Sequence, residues 1–325
     1  MNEIIRVEGL NKNFTKKSFF QSKSSIVTAV NNVSFSLSKD EILAIAGQSG
    51  SGKSTIAKLI LKAIEVDSGK IFFDGDEISD TPSDLKKLRM NCQMIYQDPY
   101  DSINPRMKIF DIINEPLEIH RVGTKETRSE MVLDALRQVK LEPAQDIAKK
   151  YPHMLSGGQR QRIVIARALV VKPKVIIADE PVSMLDVSIR AEILELLNEI
   201  KKKNKISFIY ITHDLATAKY FADRIIILYE GQIVETGNII DVLTKPQHPY
   251  TEALMKSVPN VEEDVEMLYA IEGQPPALDN LPAGCTFAPS CQYAFDKCQV
   301  EFPDIVQIGD ASKRHTATCW KLSEN

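Results

Sequence analysis

The sequence lacks a long apolar run, a secretory leader and a dense set of cysteines. No apolar stretch approaches the roughly 20 residues that span a bilayer, and the first ten residues hold no apolar segment of the signal-peptide kind. Only five of the 325 residues are cysteine, and without export they lie in a reducing compartment, so a disulfide scaffold is disfavoured. The formal net charge of -4 gives no sign of a nucleic-acid-binding surface. We therefore expect a protein of the reducing cytosol.

Three short apolar segments end abruptly in polar residues. Residues 41–46 lead into a glycine-rich stretch, residues 174–178 into an Asp-Glu pair, and residues 206–212 into a His-Asp pair. Continuous runs rich in Ile and Val are typical of central strands in a parallel sheet, and ligands bind beyond the carboxyl ends of such strands. The sequence therefore predicts an α/β fold in which the three strand ends share one site.

Composition changes along the chain and suggests its organisation. Apolar residues alternate with period two in the first 40 residues, which favours strands, and recur at helical spacing between about 85 and 171. Proline and turn residues become frequent after residue 236. We expect a main domain over 1–240, with a helical part at about 90–165, and a small irregular extension over 241–325.

The stretch GQSGSGKST matches the phosphate-loop pattern G-x-x-x-x-G-K-[ST]. Its glycines let backbone N–H groups surround phosphate oxygens, and the following helix adds its positive end. Lys53 supplies a charge for the β- and γ-phosphates, and Ser54 a hard oxygen ligand for Mg²⁺. A plain Gly/Ser turn is disfavoured by the strand before it and the helical pattern after it. The predicted nucleotide contacts are Gly47, Gln48, Ser49, Gly50, Ser51, Gly52, Lys53, Ser54 and Thr55.

Four further polar residues follow strand-like runs. Asp179 is placed to hold Mg²⁺, and Glu180 to polarise the attacking water as catalytic base. Alone, this pair would be interpreted as a helix N-cap. Gln97 and His213 are weak signals singly, but both are expected to reach the same nucleotide as catalytic groups, Gln97 also as a ligand of Mg²⁺.

The segment LSGGQRQR over residues 155–162 resembles the signature motif of ABC ATPases. With the phosphate loop, Gln97, the segment SMLD over 183–186 and His213, the order of the family's motifs is complete. The resemblance implies a RecA-like parallel sheet core with an N-terminal antiparallel β subdomain and an inserted helical subdomain. It also implies a dimer in which ATP bound to one subunit contacts the partner's signature residues. Those residues are Ser156, Gly157, Gly158, Gln159 and Asp186.

Residues 96–117, 151–169, 185–194 and 248–259 resemble the ATP-binding subunits of oligopeptide and dipeptide importers. The resemblance implies a Mg²⁺-dependent ATP hydrolase that powers peptide import at the cytoplasmic face of the cell membrane. Its implied partners are two transmembrane permease subunits and, indirectly, an extracellular solute-binding protein. Similarity to the F-type subunit further implies a heterodimer with a D-type paralogue, although a homodimer stays open.

Some alternatives remain open in the sequence. Relatives of this subfamily also import nickel or oligosaccharides. An ABC ATPase associated with nucleic acid or translation is disfavoured by the single cassette and the mildly acidic charge. Phe14 fits the position of the aromatic residue that stacks on adenine, with Phe19 and Phe20 as rivals.

Four cysteines lie within 35 residues near the end of the chain. The gaps of five, six and twenty residues between them match neither a short zinc knuckle nor the common ferredoxin runs. Related importer ATPases with this tail pattern carry a [4Fe–4S] cluster, so the resemblance implies a structural cluster, with zinc as the alternative. Cys92 is expected to be a buried apolar residue. The predicted ligands are Cys285, Cys291, Cys298 and Cys319.

Overall fold

Strands and helices alternate along the chain, as the apolar segments predict. The structure is a computed structural model that describes residues 3–16, 25–256, 282–310 and 314–323. None of the described helices combines the length and apolar character needed to cross a membrane.

The chain divides into two compact units. One is built mainly from Phe72–Tyr210, and the other from Arg6–Ser36, Ile42–Ile71 and Ile211–Asn325. The phosphate loop and the predicted C-terminal extension therefore belong to one unit, which we call the loop unit. The signature segment and the Asp-Glu pair belong to the other, which we call the signature unit.

One sheet of the loop unit carries both the phosphate loop and the C-terminal residues. Its strands are β3 (Ile42–Ala46), β9 (Arg224–Tyr229), β10 (Gln232–Asn238), β11 (Ile305–Gln307) and β12 (Thr316–Thr318). They lie in the order β11-β12-β10-β9-β3. β3 runs parallel to β9, and β10 pairs antiparallel with both β9 and β12. β3 is buried along its whole length, which explains its unbroken apolar sequence.

The buried carboxylate of Glu235 joins three segments of the loop unit. It accepts hydrogen bonds from the backbone N–H groups of Gln247 at 2.9 Å and His248 at 3.0 Å. The Nε2 atom of His315 lies 2.8 Å from the same carboxylate. Because Glu235 is fully buried, these partners replace the water that a carboxylate would otherwise require.

The signature unit contains three neighbouring strands. They are β6 (Cys92–Ile95), β7 (Val175–Asp179) and β8 (Ser207–Thr212). Their order is β8-β7-β6, and β6 runs parallel to β7. All residues of β7 and β8 are buried, so both strands have the apolar sequence of a sheet interior.

Along the chain, most helices of the signature unit come after β6 and before β7. The helices of this unit are α2 (Pro82–Asn91), α3 (Pro99–Ser102), α4 (Ile109–His120), α5 (Lys125–Gln138), α6 (Ala144–Lys149), α7 (Gly157–Leu169) and α8 (Val187–Asn204). α4, α5 and α7 pack on one another through buried side chains such as Ile113, Val132 and Ile163. Thr124 directly precedes α5, and its side chain and that of Thr127 cap each other's backbone N–H.

The remaining elements complete the predicted α/β fold. A second sheet, in the order β2-β1-β4-β5, consists of β1 (Glu3–Lys16), β2 (Ser25–Ser38), β4 (Ser68–Phe73) and β5 (Asp76–Glu77). The other helices are α1 (Lys53–Ile60), α9 (Leu215–Phe221), α10 (Ile239–Thr244), α11 (Pro249–Lys256) and α12 (Asp296–Val300). The fold class expected from the sequence is confirmed.

Candidate functional site

The phosphate loop joins β3 to α1, as its sequence predicts. Gly50 has a φ of 86° and Gly52 a φ of 101°, a region that side chains strongly disfavour. A Cβ atom at Gly52 would also lie 2.2 Å from the carbonyl oxygen of Ala29. Only glycine fits there, so the glycine of the motif is required by both backbone angle and space.

The ammonium group of Lys53 lies against its own loop. Its Nζ donates to the carbonyl oxygens of Gly47 at 2.8 Å and Gln48 at 2.6 Å. The residue is only 6% exposed, so the charge is held within the loop rather than in bulk water. Ser54 is exposed and Thr55 half-buried at the first turn of α1.

The signature unit brings Gln97 and Glu180 together. Nε2 of Gln97 donates to a carboxylate oxygen of Glu180 at 3.0 Å. Glu180 has a φ of 47°, and its carbonyl oxygen accepts from the backbone N–H of Ser183 at 3.2 Å and from the Ser183 hydroxyl at 3.0 Å. The chain therefore turns tightly at Glu180, directly after β7. Asp179 is the last residue of that strand and is buried.

The signature segment begins α7 with a reciprocal cap. The Ser156 hydroxyl accepts from the Gln159 backbone N–H at 3.3 Å, and the Gln159 side chain accepts from the Ser156 N–H at 3.0 Å. Gly158 lies so close to a neighbour that an added Cβ would be 2.9 Å from Ile189. Gly157 and Gly158 are half-buried, and Ser156 is exposed.

Three other predicted residues lie at the surface. Asp186 is exposed and precedes α8 without a side-chain capping bond. His213 is exposed and follows β8. Phe14 is 41% exposed, with the Lys12 ammonium 5.6 Å from its ring centre. The rival aromatics Phe19 and Phe20 fall outside the described residues.

The segment after Gln97 is held by the signature helix. The Arg160 guanidinium lies 4.3 Å from the ring centre of Tyr100. Arg167 donates to the carbonyl oxygen of Ser102 at 2.8 Å. Two arginines of α7 therefore contact α3, a link that motif spacing did not predict.

The four C-terminal cysteines share one narrow pocket. Cys285, Cys291, Cys298 and Cys319 line it together with His248 and aromatic side chains. Burial raises the pKa of the Cys285 thiol to about 11, with smaller contributions from the neighbouring cysteines. Burial also raises the pKa values of Cys291 and Cys319.

The arrangement of the described residues at the cysteine pocket is not that of a metal site. Within the described residues, no group of three or more His, Cys, Asp or Glu side chains is arranged to hold a metal ion. Cys92 lies apart in β6, where burial raises its pKa to about 12, as expected for an inert core thiol.

Comparison with known proteins identifies the family of this chain. Residues 30–183 match the ABC transporter family, and residues 234–298 match the C-terminal region of oligopeptide/dipeptide transporters. The oligopeptide transport ATP-binding protein AppD of Bacillus subtilis is 41% identical over 297 residues, covering 89% of this chain and 90% of AppD. The chain belongs to the ABC transporter family. It is an ATP-binding subunit that couples ATP hydrolysis to transport.

Further similarities agree with membership of this ABC family. The dipeptide transport ATP-binding protein DppF of Haemophilus influenzae is 38% identical over 309 residues, 94% of each chain. The structure of cbiO1 from Clostridium perfringens, part of the ABC transporter complex cbiONQ, has a TM-score of 0.66 and 28% identity, covering 75% of this chain and 92% of cbiO1. The ATP-binding cassette MJ0796, bound to ADP and Pi, has a TM-score of 0.63 and 29% identity, covering 73% and 99%.

Proposed function

We propose that this ABC subunit powers the import of peptides from the cytoplasmic face of the cell membrane. The single observation that carries the proposal is the match of residues 234–298 to the C-terminal region of oligopeptide/dipeptide transporters. The names of AppD and DppF, which align along nearly the whole chain, support it. Two transmembrane permease subunits and an extracellular solute-binding protein are its proposed partners.

Uptake by cells that carry the complete importer tests this proposal. Labelled oligopeptide, nickel and oligosaccharide are offered to cells with the wild-type chain and to cells with Glu180→Gln. Peptide uptake should be lost in the variant, whereas Glu192→Gln, a change at an exposed salt bridge to Arg162, should transport normally. Unchanged peptide uptake together with lost nickel or oligosaccharide uptake would replace peptide with that substrate.

The roles proposed for the site residues are supported by the contacts of Lys53 within the phosphate loop and by the bond between Gln97 and Glu180. Lys53 and the backbone of residues 47–55 hold the phosphates of ATP, and Ser54, Gln97 and Asp179 hold Mg²⁺. Glu180 orients the attacking water, and its bond to Gln97 supports this role because it fixes the carboxylate. His213 assists at the γ-phosphate, and Phe14 stacks on the adenine.

The signature residues are proposed to act on the ATP of a partner subunit. Ser156, Gly157, Gly158 and Gln159 begin a helix whose positive end favours an anion. Asp186 precedes the next helix in the unit. The partner is a D-type paralogue, since the signature and the segment around Asn104 resemble an F-type subunit. Mixing the two purified chains with ATP should give a heterodimer on size-exclusion chromatography; homodimers alone would exclude it.

The segment over residues 98–107 is proposed to contact the permease. Its contacts with Arg160 and Arg167 of α7 support this role, because a movement of α7 would displace the segment as well. Arg106→Glu should abolish peptide uptake and spare ATP binding, whereas Arg121→Glu, at another exposed arginine of the same unit, should have little effect. Crosslinks from residue 106 that never reach a membrane subunit would exclude the contact.

The cysteine pocket is proposed to hold a structural [4Fe–4S] cluster that staples the C-terminal region. His248 supports this assignment: it is 1% exposed, it lines the pocket, and its Nδ1 accepts the Tyr250 backbone N–H at 3.0 Å. Its proton is therefore on Nε2, which has no hydrogen-bond partner within the described residues. A buried N–H donor beside four thiols fits a ligand rich in sulfur.

The choice of a cluster over zinc rests on the resemblance to importer ATPases that carry one. A single tetrahedral zinc ion, with Zn–S bonds of about 2.3 Å, would require the four sulfurs to lie close together. A four-iron cluster binds each cysteine through a different iron, so the sulfurs stand farther apart.

Anaerobic purification of the full chain tests the cluster. The wild type should be brown, with about four irons and four acid-labile sulfides per chain, and Cys291→Ser should lose them. The matched control is Cys92→Ser, which removes a cysteine outside the pocket and should keep the iron. Colourless wild-type protein with one zinc, or with four free thiols, would contradict the proposal.

A further inference from the structure

The C-terminal region reaches the phosphate loop through one hydroxyl group. The backbone N–H of Gln48, the second residue of the loop, donates to the Oη atom of Tyr250 at 3.0 Å. The two residues are 202 positions apart in the chain. Tyr250 lies at the start of α11, in the part of the chain that matches the oligopeptide/dipeptide C-terminal region.

Tyr250 is held in place by burial, by two neighbouring rings and by a bond to its backbone. It is fully buried, and its ring centre lies 4.4 Å from that of Tyr229 and 5.4 Å from that of Phe287. Its backbone N–H donates to Nδ1 of His248 at 3.0 Å. The hydroxyl is therefore a fixed acceptor, because neither the ring nor the backbone can move without breaking these contacts.

The Gln48 N–H belongs to the same peptide group as the carbonyl of Gly47. In a trans peptide these two groups point in opposite directions. The carbonyl oxygen accepts from Nζ of Lys53 at 2.8 Å, while the N–H donates to Tyr250. Rotation of this peptide would therefore break both bonds together, and Tyr250 resists it.

We propose that Tyr250 is a positioning residue for ATP binding, which fixes the Gly47–Gln48 peptide so that its carbonyl holds the Lys53 ammonium in the loop. The C-terminal region thereby contributes to the nucleotide site through a single hydrogen bond. The proposal depends on ATP binding by the phosphate loop and is independent of the transported substrate and of any cluster in the cysteine pocket.

Tyr250→Phe tests the proposal because it removes the hydroxyl and keeps the ring. The Kd for MgATP and the KM for ATP should rise about three- to tenfold, which corresponds to the usual net free energy of one hydrogen bond. kcat should change less than twofold, since no group that contacts the attacking water is altered. The matched control is Tyr229→Phe, which removes a hydroxyl from the same ring cluster and should leave the KM unchanged.

Hydrogen exchange gives a readout that does not depend on activity. In the full-length chain without nucleotide, the peptide that contains Gln48 should exchange faster in Tyr250→Phe than in the wild type or in Tyr229→Phe. Melting temperatures of the two variants report whether either change has merely loosened the fold. Equal exchange and equal ATP affinity in Tyr250→Phe and the wild type would overturn the proposal, as would an identical loss in both variants.

Discussion

Two helices of this ABC subunit begin at glycine-rich motifs, and they begin differently. α1 follows Gly52, which offers no side-chain cap, and its first turn carries no acidic residue. α7 follows Ser156, which forms a reciprocal cap with Gln159. The first helix leaves its N-terminal N–H groups to be satisfied by something other than its own side chains, whereas the second satisfies two donors itself.

The presence or absence of a side-chain cap determines which groups at each helix start can bind a phosphate. The loop before α1 is held from outside, through Gly231, whose N–H donates to the carbonyl of Ser51 at 2.9 Å, and through Tyr250. The N–H groups in the first turn of α1 can therefore bind phosphate without first breaking a side-chain cap. At α7 the Ser156 hydroxyl accepts from the Gln159 N–H, and its own O–H can still donate. It can therefore cap the helix and make the proposed contact with the partner's ATP at the same time. The two helices thus differ in that the start of α1 has no side-chain cap, whereas the start of α7 keeps its cap together with a hydroxyl that can still donate.

Glu180→Gln should have the largest effect on ATP turnover. It sharpens the comparison of α1 with α7, because it removes hydrolysis and leaves the starts of both helices intact. Loss of the proposed general base should lower turnover by about 10²–10⁴-fold, while ATP affinity stays within about twofold. The measurement is phosphate release by the assembled transporter, with Glu192→Gln as the control. Turnover like that of the wild type would remove Glu180 from this role.

Lys53→Ala tests the α1 side of the comparison. Loss of a charged phosphate contact should weaken MgATP binding about 10- to 100-fold. Lys58→Ala removes a positive charge from the last turn of the same helix and should leave binding unchanged in a titration of the isolated chain. If the two variants lose affinity equally, general charge rather than the loop contact sets the affinity.

Ser156→Ala tests the α7 side. The helix loses its cap, which should cost about 1 kcal/mol and lower the melting temperature by about 2 °C. Thr124→Ala removes the matching cap of α5 and should cost the same stability. Only Ser156→Ala should also slow ATP turnover of the assembled transporter, by about tenfold for one hydrogen bond to a charged phosphate. Equal turnover in both variants would make Ser156 a helix cap and nothing more.

The smallest effect is expected at Gln159, where two substitutions separate capping from charge. Gln159→Ala should lower the stability of the chain by a few tenths of a kcal/mol, because half of the capping box is lost. Gln159→Glu keeps the reciprocal bond and favours the helix dipole, so stability should hold or rise. The added negative charge should nevertheless slow turnover of the assembled transporter. A Glu variant with unchanged turnover would place this side chain away from the partner's phosphates.

The fold and the motif positions could be predicted because their signals are local. The apolar runs of β3, β7 and β8 each lie within six residues and end in polar groups, so both the strands and the edge that carries the chemistry were predictable. The S-x-x-Q pattern at Ser156 is an equally local signal of a capping box, although the family resemblance assigns this residue only to contact with the partner's ATP.

The support of the phosphate loop could not be predicted, because it is not local. The bond from Gln48 to Tyr250 spans 202 positions, and no spacing rule connects the two residues. The same holds for the pairing of His248 with the cysteine pocket, since the four cysteines have gaps that match no short metal motif. Burial in the folded chain creates these contacts, and a sequence pattern does not record them.

β12 and β11 also cover the outer edge of β10, which would otherwise be open to pairing with strands of other molecules. β10 pairs with β9 on one side and with β12, from far along the chain, on the other. A chain that ends after Val300 would leave the outer side of β10 with unpaired N–H and C=O groups, an edge that invites strands from other molecules. Such a chain should form aggregates detectable by light scattering, whereas a clear monomeric solution would contradict this expectation. The tail therefore replaces an edge strand of seven residues, β10, with one of three residues, β11, and a shorter edge offers fewer groups to a strand of another molecule.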